Sequence, residues 1–338
     1  MKTYSVAIVG ATGVVGKEMI SILENRKFPV GKIKLLCSER SSGTTLSFNG
    51  KAVKTEILTE DSFEDIDFAL FSAGGSISEA FAPAAVKAGA VVIDNTSHFR
   101  MKNDVPLVVP EVNPDALKQH NGIIANPNCS TAQMVLALKP LHDAAKIKRV
   151  VVSTYQSVSG AGKNAIVELE SQTRANLNGK KTEPKQFPKE IAFNLIPQID
   201  VFLENGYTKE EVKMIEETKK ILNAPELNVT ATTVRVPVFI SHSEAVNIEL
   251  ERALSPEEVR SLLKKMPGIE VLDDPKTQGY PTPKEVAGRD EVFVGRIRKD
   301  LSCPTGIELW IVADNLKKGA ALNAVQIAET LCQMNAEK

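Results

Sequence analysis

Basic excess is missing from this 338-residue chain: 41 Lys and Arg stand against 42 Asp and Glu, a formal net charge of -1 with histidine neutral. No Lys/Arg stripe runs along any segment, so phosphate-backbone binding lacks its electrostatic footprint and nucleic acid is not an expected partner. Cysteine is scarce as well. Cys37, Cys129, Cys303 and Cys332 are scattered without a CxxC pair, which argues against a zinc site and against a disulfide framework. No metal is expected, and each thiol is judged singly. Long apolar runs are lacking too: MKTYSVAIVG meets glycine after a few apolar residues, too short for a signal-peptide core or a membrane span. A soluble, cytoplasmic protein without a membrane partner is the expectation. Neither an internal repeat nor a low-complexity tract occurs. What remains is a globular composition, 43% hydrophobic and 25% charged, with length for two domains and no signature of disorder.

Through the first 130 residues, short apolar runs alternate with helical periods. Ser5 to Val9 reads as a strand, Val14 to Asn25 as a helix with Val15, Met19, Ile22 and Leu23 on one side, and Lys32 to Cys37 as a second strand. DFALFSA, the helix-like SISEAFAPAAVKAGA and AVVIDNTS continue the alternation. Strand, helix, strand at these spacings predicts parallel pairing and a doubly wound sheet. After residue 129 the texture changes. RVVVSTYQSV, NVTATTVRVPVFI, EAVNIELER, DEVFVGRIRKD and IELWIVADN are longer and rich in β-branched residues, which predicts a mostly antiparallel sheet carrying a few helices. NLNGKKTEPKQFPKE reads as a surface loop, and AALNAVQIAETLCQMN as a helix that could fold back on the first domain.

The first motif with chemistry is Gly10-Ala11-Thr12-Gly13-Val14-Val15-Gly16, directly after the first strand and opening the first helix. Glycines there permit a tight turn and close backbone approach, so a pyrophosphate can sit at the positive end of the helix dipole. The GxxGxxG spacing differs from the commoner GxGxxG, and only its placement separates it from a ligand-free glycine turn. About twenty residues on, Cys37-Ser38-Glu39-Arg40-Ser41-Ser42-Gly43 falls where such a fold contacts the adenosine ribose. Glu39 would suit NAD. Arg40, with Ser38 and Ser41, offers a guanidinium and hydroxyls to a 2′-phosphate, and the pattern leans to NADP. Ser72-Ala73-Gly74-Gly75-Ser76 follows another strand and either passes the nicotinamide end or only enters a helix.

NPNCST, residues 126–131, places Cys129 where an extended segment becomes helical. Helix-terminal N–H groups would stabilise a thiolate there, yet a buried inert cysteine fits the local context equally. In YQSVSGAGK, residues 155–163, Gln156 ends a strand in a glycine-flanked turn where an amide can orient a carbonyl. Arg235 lies inside an apolar strand, TVRVPV, and needs an anion or acid partner. Seven residues later comes His242, in Ser241-His242-Ser243-Glu244, which alone reads more readily as a structural or surface histidine than as an acid/base.

Together, NPNCST, YQSVSGAGK, RVPV followed by SHSE, GATGVVG and SERSSG resemble the aspartate-semialdehyde dehydrogenase family, in the same order over essentially the whole chain. The glycine motif is shared with many dehydrogenases; NPNCST combined with QxVSGAGK is specific. The resemblance implies an α/β fold: a doubly wound NADP-binding domain, 1–128, completed by a C-terminal helix, 318–338, and an α/β catalytic and dimerisation domain, 129–317. It implies NADPH-dependent reductive dephosphorylation of L-4-aspartyl phosphate to L-aspartate 4-semialdehyde through a cysteine thioacyl intermediate. That step lies early in lysine (diaminopimelate), threonine and methionine biosynthesis, and the expected assembly is a homodimer or a tetramer. Position by position, Cys129 matches the nucleophile, His242 the acid/base and Gln156 the residue that orients the intermediate. Arg235 matches the partner of the substrate α-carboxylate. Glu210, or its neighbour Glu211, matches the acid that meets the ammonium, and Lys213 and Arg100 the phosphate ligands. Asn128 is a candidate donor to the oxyanion. NADP contacts are expected at Gly10, Thr12, Gly13, Val14, Val15, Gly16, Ser38, Arg40, Ser41, Ser72, Gly74, Gly75, Ser159 and Gly160. N-acetyl-γ-glutamyl-phosphate reductase has related architecture and thiol chemistry, but NPNCST and the Arg235 to His242 arrangement argue against it. A phosphate-dependent glyceraldehyde dehydrogenase lacks these motifs. A catalytically silent nucleotide-binding relative would be marked by loss of the cysteine, and Cys129 is present.

Overall fold

The computed structural model describes residues 2–336. The chain folds as two compact units. One carries the chain up to Asn128 and resumes from Ala320; the other is Cys129–Gly319.

In the first unit β1 (Tyr4–Val9) runs into α1 (Val14–Asn25), the helix expected from the sequence, and the chain returns as β2 (Val30–Cys37). A small hairpin, β3 (Thr45–Phe48) and β4 (Lys51–Lys54), and the short β5 (Glu56–Ile57) follow. Then come β6 (Phe68–Phe71), α2 (Gly75–Lys87), β7 (Val91–Asp94) and β8 (Ile123–Ala125). The main sheet has the order β5-β2-β1-β6-β7-β8 with every pairing parallel. Its central strands are nearly continuous apolar runs because both faces are buried: Val6 and Ile8 point into one apolar layer while Ala7 and Val9, equally buried, point into the other. The doubly wound expectation is met, with strand order reversing beside β1.

The second unit begins at α3 (Cys129–Ala145), apolar on nearly every side and buried along most of its length, as befits a helix covered all round. β9 (Ile147–Gln156), α4 (Lys163–Leu177), α5 (Lys209–Leu222), β10 (Asn228–Arg235) and β11 (His242–Leu250) follow. α6 (Pro256–Lys265), β12 (Ile269–Val271), α7 (Pro283–Val286), β13 (Val292–Lys299) and β14 (Gly306–Ala313) complete it. The sheet order is β10-β9-β11-β14-β13-β12, antiparallel in its three middle pairings and parallel at both edges. It is therefore mixed: the long connection through α4 and α5 carries the chain back to begin β10 beside the start of β9, a crossover that only a parallel pair requires. α3 lies on the face bearing the buried even-numbered residues of β11, His242 to Leu250. On the other face Val151, Ser153, Tyr155, Ala245 and Trp310 are only partly covered. The polar segment 176–190 is largely loop, as expected. Buried Glu168 of α4 pins it by accepting the Lys185 and Gln186 N–H groups.

The chain rejoins the first unit as α8 (Leu322–Ala336). Val325, Ala328 and Leu331 pack with Met19 and Leu23 of α1 against one face of the parallel sheet. Asn323 donates to the Val108 carbonyl at 2.9 Å and to Asn126 Oδ1 at 2.7 Å, and Asn126 N–H donates to Asp94 O at 2.8 Å. The carboxy-terminal helix thus ties down the segment leading into NPNCST. The last two residues of the expected 318–338 span lie outside the described residues.

Candidate active site

Strand register assembles the centre of the site. Arg235 ends β10 opposite Gln156, which ends β9, and Gln156 stands opposite His242, the first residue of β11. Three residues remote in sequence therefore form one row across three strands, all on the face that α3 covers, because neighbouring positions on paired strands share a face. Each is buried, at 6%, 1% and 0% exposure respectively. Cys129 is the first residue of α3 and is half-buried. One turn further on, Gln133 Nε2 donates to the His242 carbonyl at 3.4 Å, which ties the start of the helix to the row.

Among the described residues Arg235 has no carboxylate in a hydrogen-bonded pair. Its Nη1 donates to the Ser157 carbonyl at 2.6 Å, and the guanidinium lies 5.8 Å from the centre of the Phe187 ring. Burial draws its pKa below the usual arginine value, opposed by the nearby charges of Glu210 and Cys129. A buried guanidinium with spare donors is a receptor for an anion.

His242 Nδ1 accepts the Ser157 N–H at 3.1 Å and lies 3.1 Å from the Ser157 hydroxyl. A backbone N–H can only donate, so the neutral ring must carry its proton on Nε2. That nitrogen is buried and has no partner among the described residues. Burial, then the neighbouring Arg235 charge, lower the ring's pKa to about 3. Asn315, just past β14, steadies the arrangement: its Oδ1 accepts from Ser157 Oγ at 3.2 Å, Ser159 Oγ at 3.0 Å and Ser241 N–H at 2.9 Å. Gly160 completes it by having no side chain. A Cβ there would lie 3.1 Å from Arg235 Nη1 and 3.2 Å from His242 Nε2, in the space the two groups face.

The adjacent acids of α5 have different tasks. Glu211 closes a capping box with Thr208 and accepts the Thr233 N–H at 3.0 Å, so it holds the helix against β10. Glu210, buried, accepts from Gln156 Nε2 at 3.3 Å, while Lys213 Nζ is shared between Glu210 Oε2 at 3.3 Å and Asp200 Oδ2 at 2.8 Å. Lys213 raises no problem of solvation, being a quarter exposed. Burial acts to raise the Asp200 pKa, but the hydrogen bond from Lys213 and the other donors override it and hold the carboxyl below the usual range.

The remaining candidates belong to the first unit. Asn128 and Arg100 are buried there, and Arg100 Nη2 donates to the Asn95 carbonyl at 2.7 Å. Gly10 has φ +89°, and a Cβ on Gly16 would come within 2.3 Å of the Gly10 carbonyl oxygen, so both positions demand glycine. With Gly13 preceding Val14 and Val15 at the head of α1, this is the cradle expected for a pyrophosphate. A cavity of about 450 Å³ opens from it, lined by Gly10, Thr12, Gly13, Ser38, Glu39, Arg40, Ser41 and Ser72 and floored by Val9, Ile57, Ile77 and Phe81. Gly74, with φ +100°, and Gly75 open α2 after Ser72. Ser159 and Gly160 instead belong to the second unit, beside the row of Arg235, Gln156 and His242. Among the described residues no group of three His, Cys, Asp or Glu side chains could hold a metal ion, and no helix is long and apolar enough to cross a membrane.

Ser157, Asn315, Asp200 and Gln133 were not singled out from the sequence. Asn315, ending the apolar run IELWIVADN, carried a faint signal; the others acquire their roles from pairings distant along the chain.

Comparison with known proteins agrees with this fold. Residues 5–120 match the semialdehyde dehydrogenase NAD binding domain, and residues 138–318 the semialdehyde dehydrogenase dimerisation domain. Aspartate-semialdehyde dehydrogenase of Aquifex aeolicus is 58% identical over 97% of this chain and 98% of its own. The crystal structure of aspartate semialdehyde dehydrogenase II from Vibrio cholerae, complexed with ASA, is 53% identical and superimposes with a TM-score of 0.96, covering 98% of this chain and 99% of that one. The Candida albicans enzyme solved with NADP is 26% identical, with a TM-score of 0.77 over 99% of this chain and all of that one. The chain belongs to the aspartate-semialdehyde dehydrogenase family, whose members are NADP-dependent, phosphorylating oxidoreductases.

Proposed function

We propose that Cys129, His242, Gln156 and Arg235 carry the family's reaction in this chain: reductive dephosphorylation of L-4-aspartyl phosphate to L-aspartate 4-semialdehyde, and its reverse. The carrying observation is the row Arg235–Gln156–His242 on one sheet face, tied to the helix that Cys129 begins. Arg235 takes the substrate α-carboxylate through its spare donors. Glu210 rather than Glu211 meets the ammonium, since both Glu211 oxygens are committed to backbone N–H groups. Lys213 and Arg100 take the phosphate.

The sulfur anion of Cys129, favoured by the helix start and by the Arg235 charge, attacks the acyl carbon. The S–C bond forms as the C–O bond to phosphate breaks, leaving a thioester, a better hydride acceptor than a carboxylate. NADPH, held by the Gly10–Gly16 cradle with Arg40, Ser38 and Ser41 at its 2′-phosphate, supplies the hydride when bound. His242 offers its Nε2–H to the oxygen that becomes negative, with Gln156 and Asn128 as further donors. Collapse of that oxyanion re-forms the C=O bond as the C–S bond breaks, releasing aldehyde and thiolate, while the ring keeps its Nε2 proton as a hydrogen-bond donor throughout.

The two units serve as the proposed NADP-binding domain, to residue 128 with the terminal helix, and the catalytic and dimerisation domain. The partly covered face around Ala245 and Tyr155 receives a second copy, a homodimer that a tetramer would build upon, in the cytoplasm. The test is NADPH absorbance with semialdehyde, phosphate and NADP, each omitted in turn, and mass spectrometry of acid-quenched mixtures. The expected result is turnover needing all three and an aspartyl adduct on Cys129; turnover without that adduct overturns the nucleophile.

A further inference from the structure

Directly beneath the catalytic row, two residues along each strand and on the same face, runs a second buried row: Thr233, Thr154, Glu244 and Ile311. Glu244 is fully buried, yet neither of its oxygens has a hydrogen-bond partner among the described residues. The groups facing it are uncharged among the described residues: Thr154 from β9, Ile311 from β14, Gln133 from α3, and the neutral His242 on its own strand. The Gln133 amide reaches toward the carboxyl without closing good hydrogen-bond geometry, and its other contact is the His242 carbonyl. An ionised carboxylate with no cation and no well-formed hydrogen bond, in a buried core, is among the costliest arrangements a fold can hold, whereas the neutral acid is tolerated.

We propose that Glu244 is retained as a neutral carboxylic acid and acts, through Gln133, as a positioning residue that fixes the His242 end of β11 against the start of the Cys129 helix. Burial pushes the Glu244 pKa well above the usual carboxylate value, against a smaller effect of Gln133. Being uncharged, the acid leaves His242 in the field of Arg235 alone, which keeps the ring neutral with its proton on Nε2. The role rests on the reading of His242 as hydrogen-bond donor to the reacting oxygen.

The test compares Glu244→Gln, an uncharged isostere, with Glu244→Ala. The alanine variant, which lacks the packing and the Gln133 contact, should lose about tenfold or more in kcat with KM for the semialdehyde changed less than about twofold. The glutamine variant should recover kcat to within about threefold of wild type. The glutamine variant should also melt higher than wild type, by a margin that widens from about pH 5 to about pH 8, since the acid's cost grows as pH rises above its unfolded pKa. Infrared difference spectra of wild type minus glutamine variant should contain the C=O stretch of a protonated carboxyl at about pH 8. Loss of kcat in the glutamine variant as deep as in the alanine variant, or absence of that band, overturns the proposal. If the alanine variant fails to fold, the glutamine variant and the spectrum decide alone. Melting and infrared measurements need no turnover, so a wild-type protein inactive toward the semialdehyde would sink the reading of the site and leave the acid's protonation separately judged.

Discussion

At the scale of single residues, Cys129→Ser is expected to bind NADP as the parent does while turnover falls by about a thousandfold or more, because a neutral hydroxyl there has no base to ionise it. His242 Nδ1 is already an acceptor and its Nε2 already protonated, so the ring cannot serve that base's role. Calorimetric titration of NADP beside steady-state rates checks both halves. Arg235→Lys keeps a charge and loses the planar fork, and KM for the semialdehyde should rise by about tenfold or more; an unchanged KM would remove Arg235 from the substrate site. The residue types of this chemistry were legible in the sequence, since Cys129, Gln156, Arg235 and His242 stand in motifs. The choice proposed above, Glu210 over Glu211, was not. Two adjacent acids on one helix differ only in what lies opposite, and Thr233, which occupies Glu211, is brought there by the packing of α5 on β10.

At the scale of elements, the strand–glycine–helix unit at the amino terminus was readable because its causes are local. The turn needs the positive φ of Gly10, and α1 can cross so close to it only because Gly16 lacks a Cβ. Gly16→Ala should therefore destabilise the first unit by about 3 kcal/mol and weaken NADP binding. Thermal melting with and without NADP measures this. The second sheet was less legible. Its longer strands were recognisable from β-branched runs, but the parallel pairing of β9 with β10 was not. Register and direction depend on a connection of about seventy residues, 157–227, whose path no local periodicity encodes.

At the scale of the whole molecule, acid stability should be governed by buried histidine. The folded pKa of His242, about 3, lies below its unfolded value of 6.5, so its contribution is fully present above about pH 6.5 and is lost as pH falls toward 3, up to about 5 kcal/mol. His142, lowered chiefly by burial and then by Lys146, adds in the same sense. Denaturant titrations of wild type and His242→Asn across this range should show the variant losing less stability on acidification. Association is the second property at this scale. Ala245 sits mid-sheet on the partly covered face, paired with Ser153 and Trp310. Ala245→Glu should convert a species of twice the 36.7 kDa chain mass into the single chain in sedimentation. An unaltered mass would place the interface elsewhere.

What the sequence by itself determined was the chemistry available and the local frame: a thiol at a helix start, an arginine in a strand, glycines where the backbone turns or crosses closely, and the periodicities of two kinds of unit. These follow from side-chain type and near-neighbour sterics. Only the tertiary structure decided that residues 156, 235 and 242 form one row, that Ser157 sets the histidine's tautomer, and that Glu244 lies buried beneath without a cation. Those are consequences of strand register, and register is settled by burial of whole faces against helices distant in sequence.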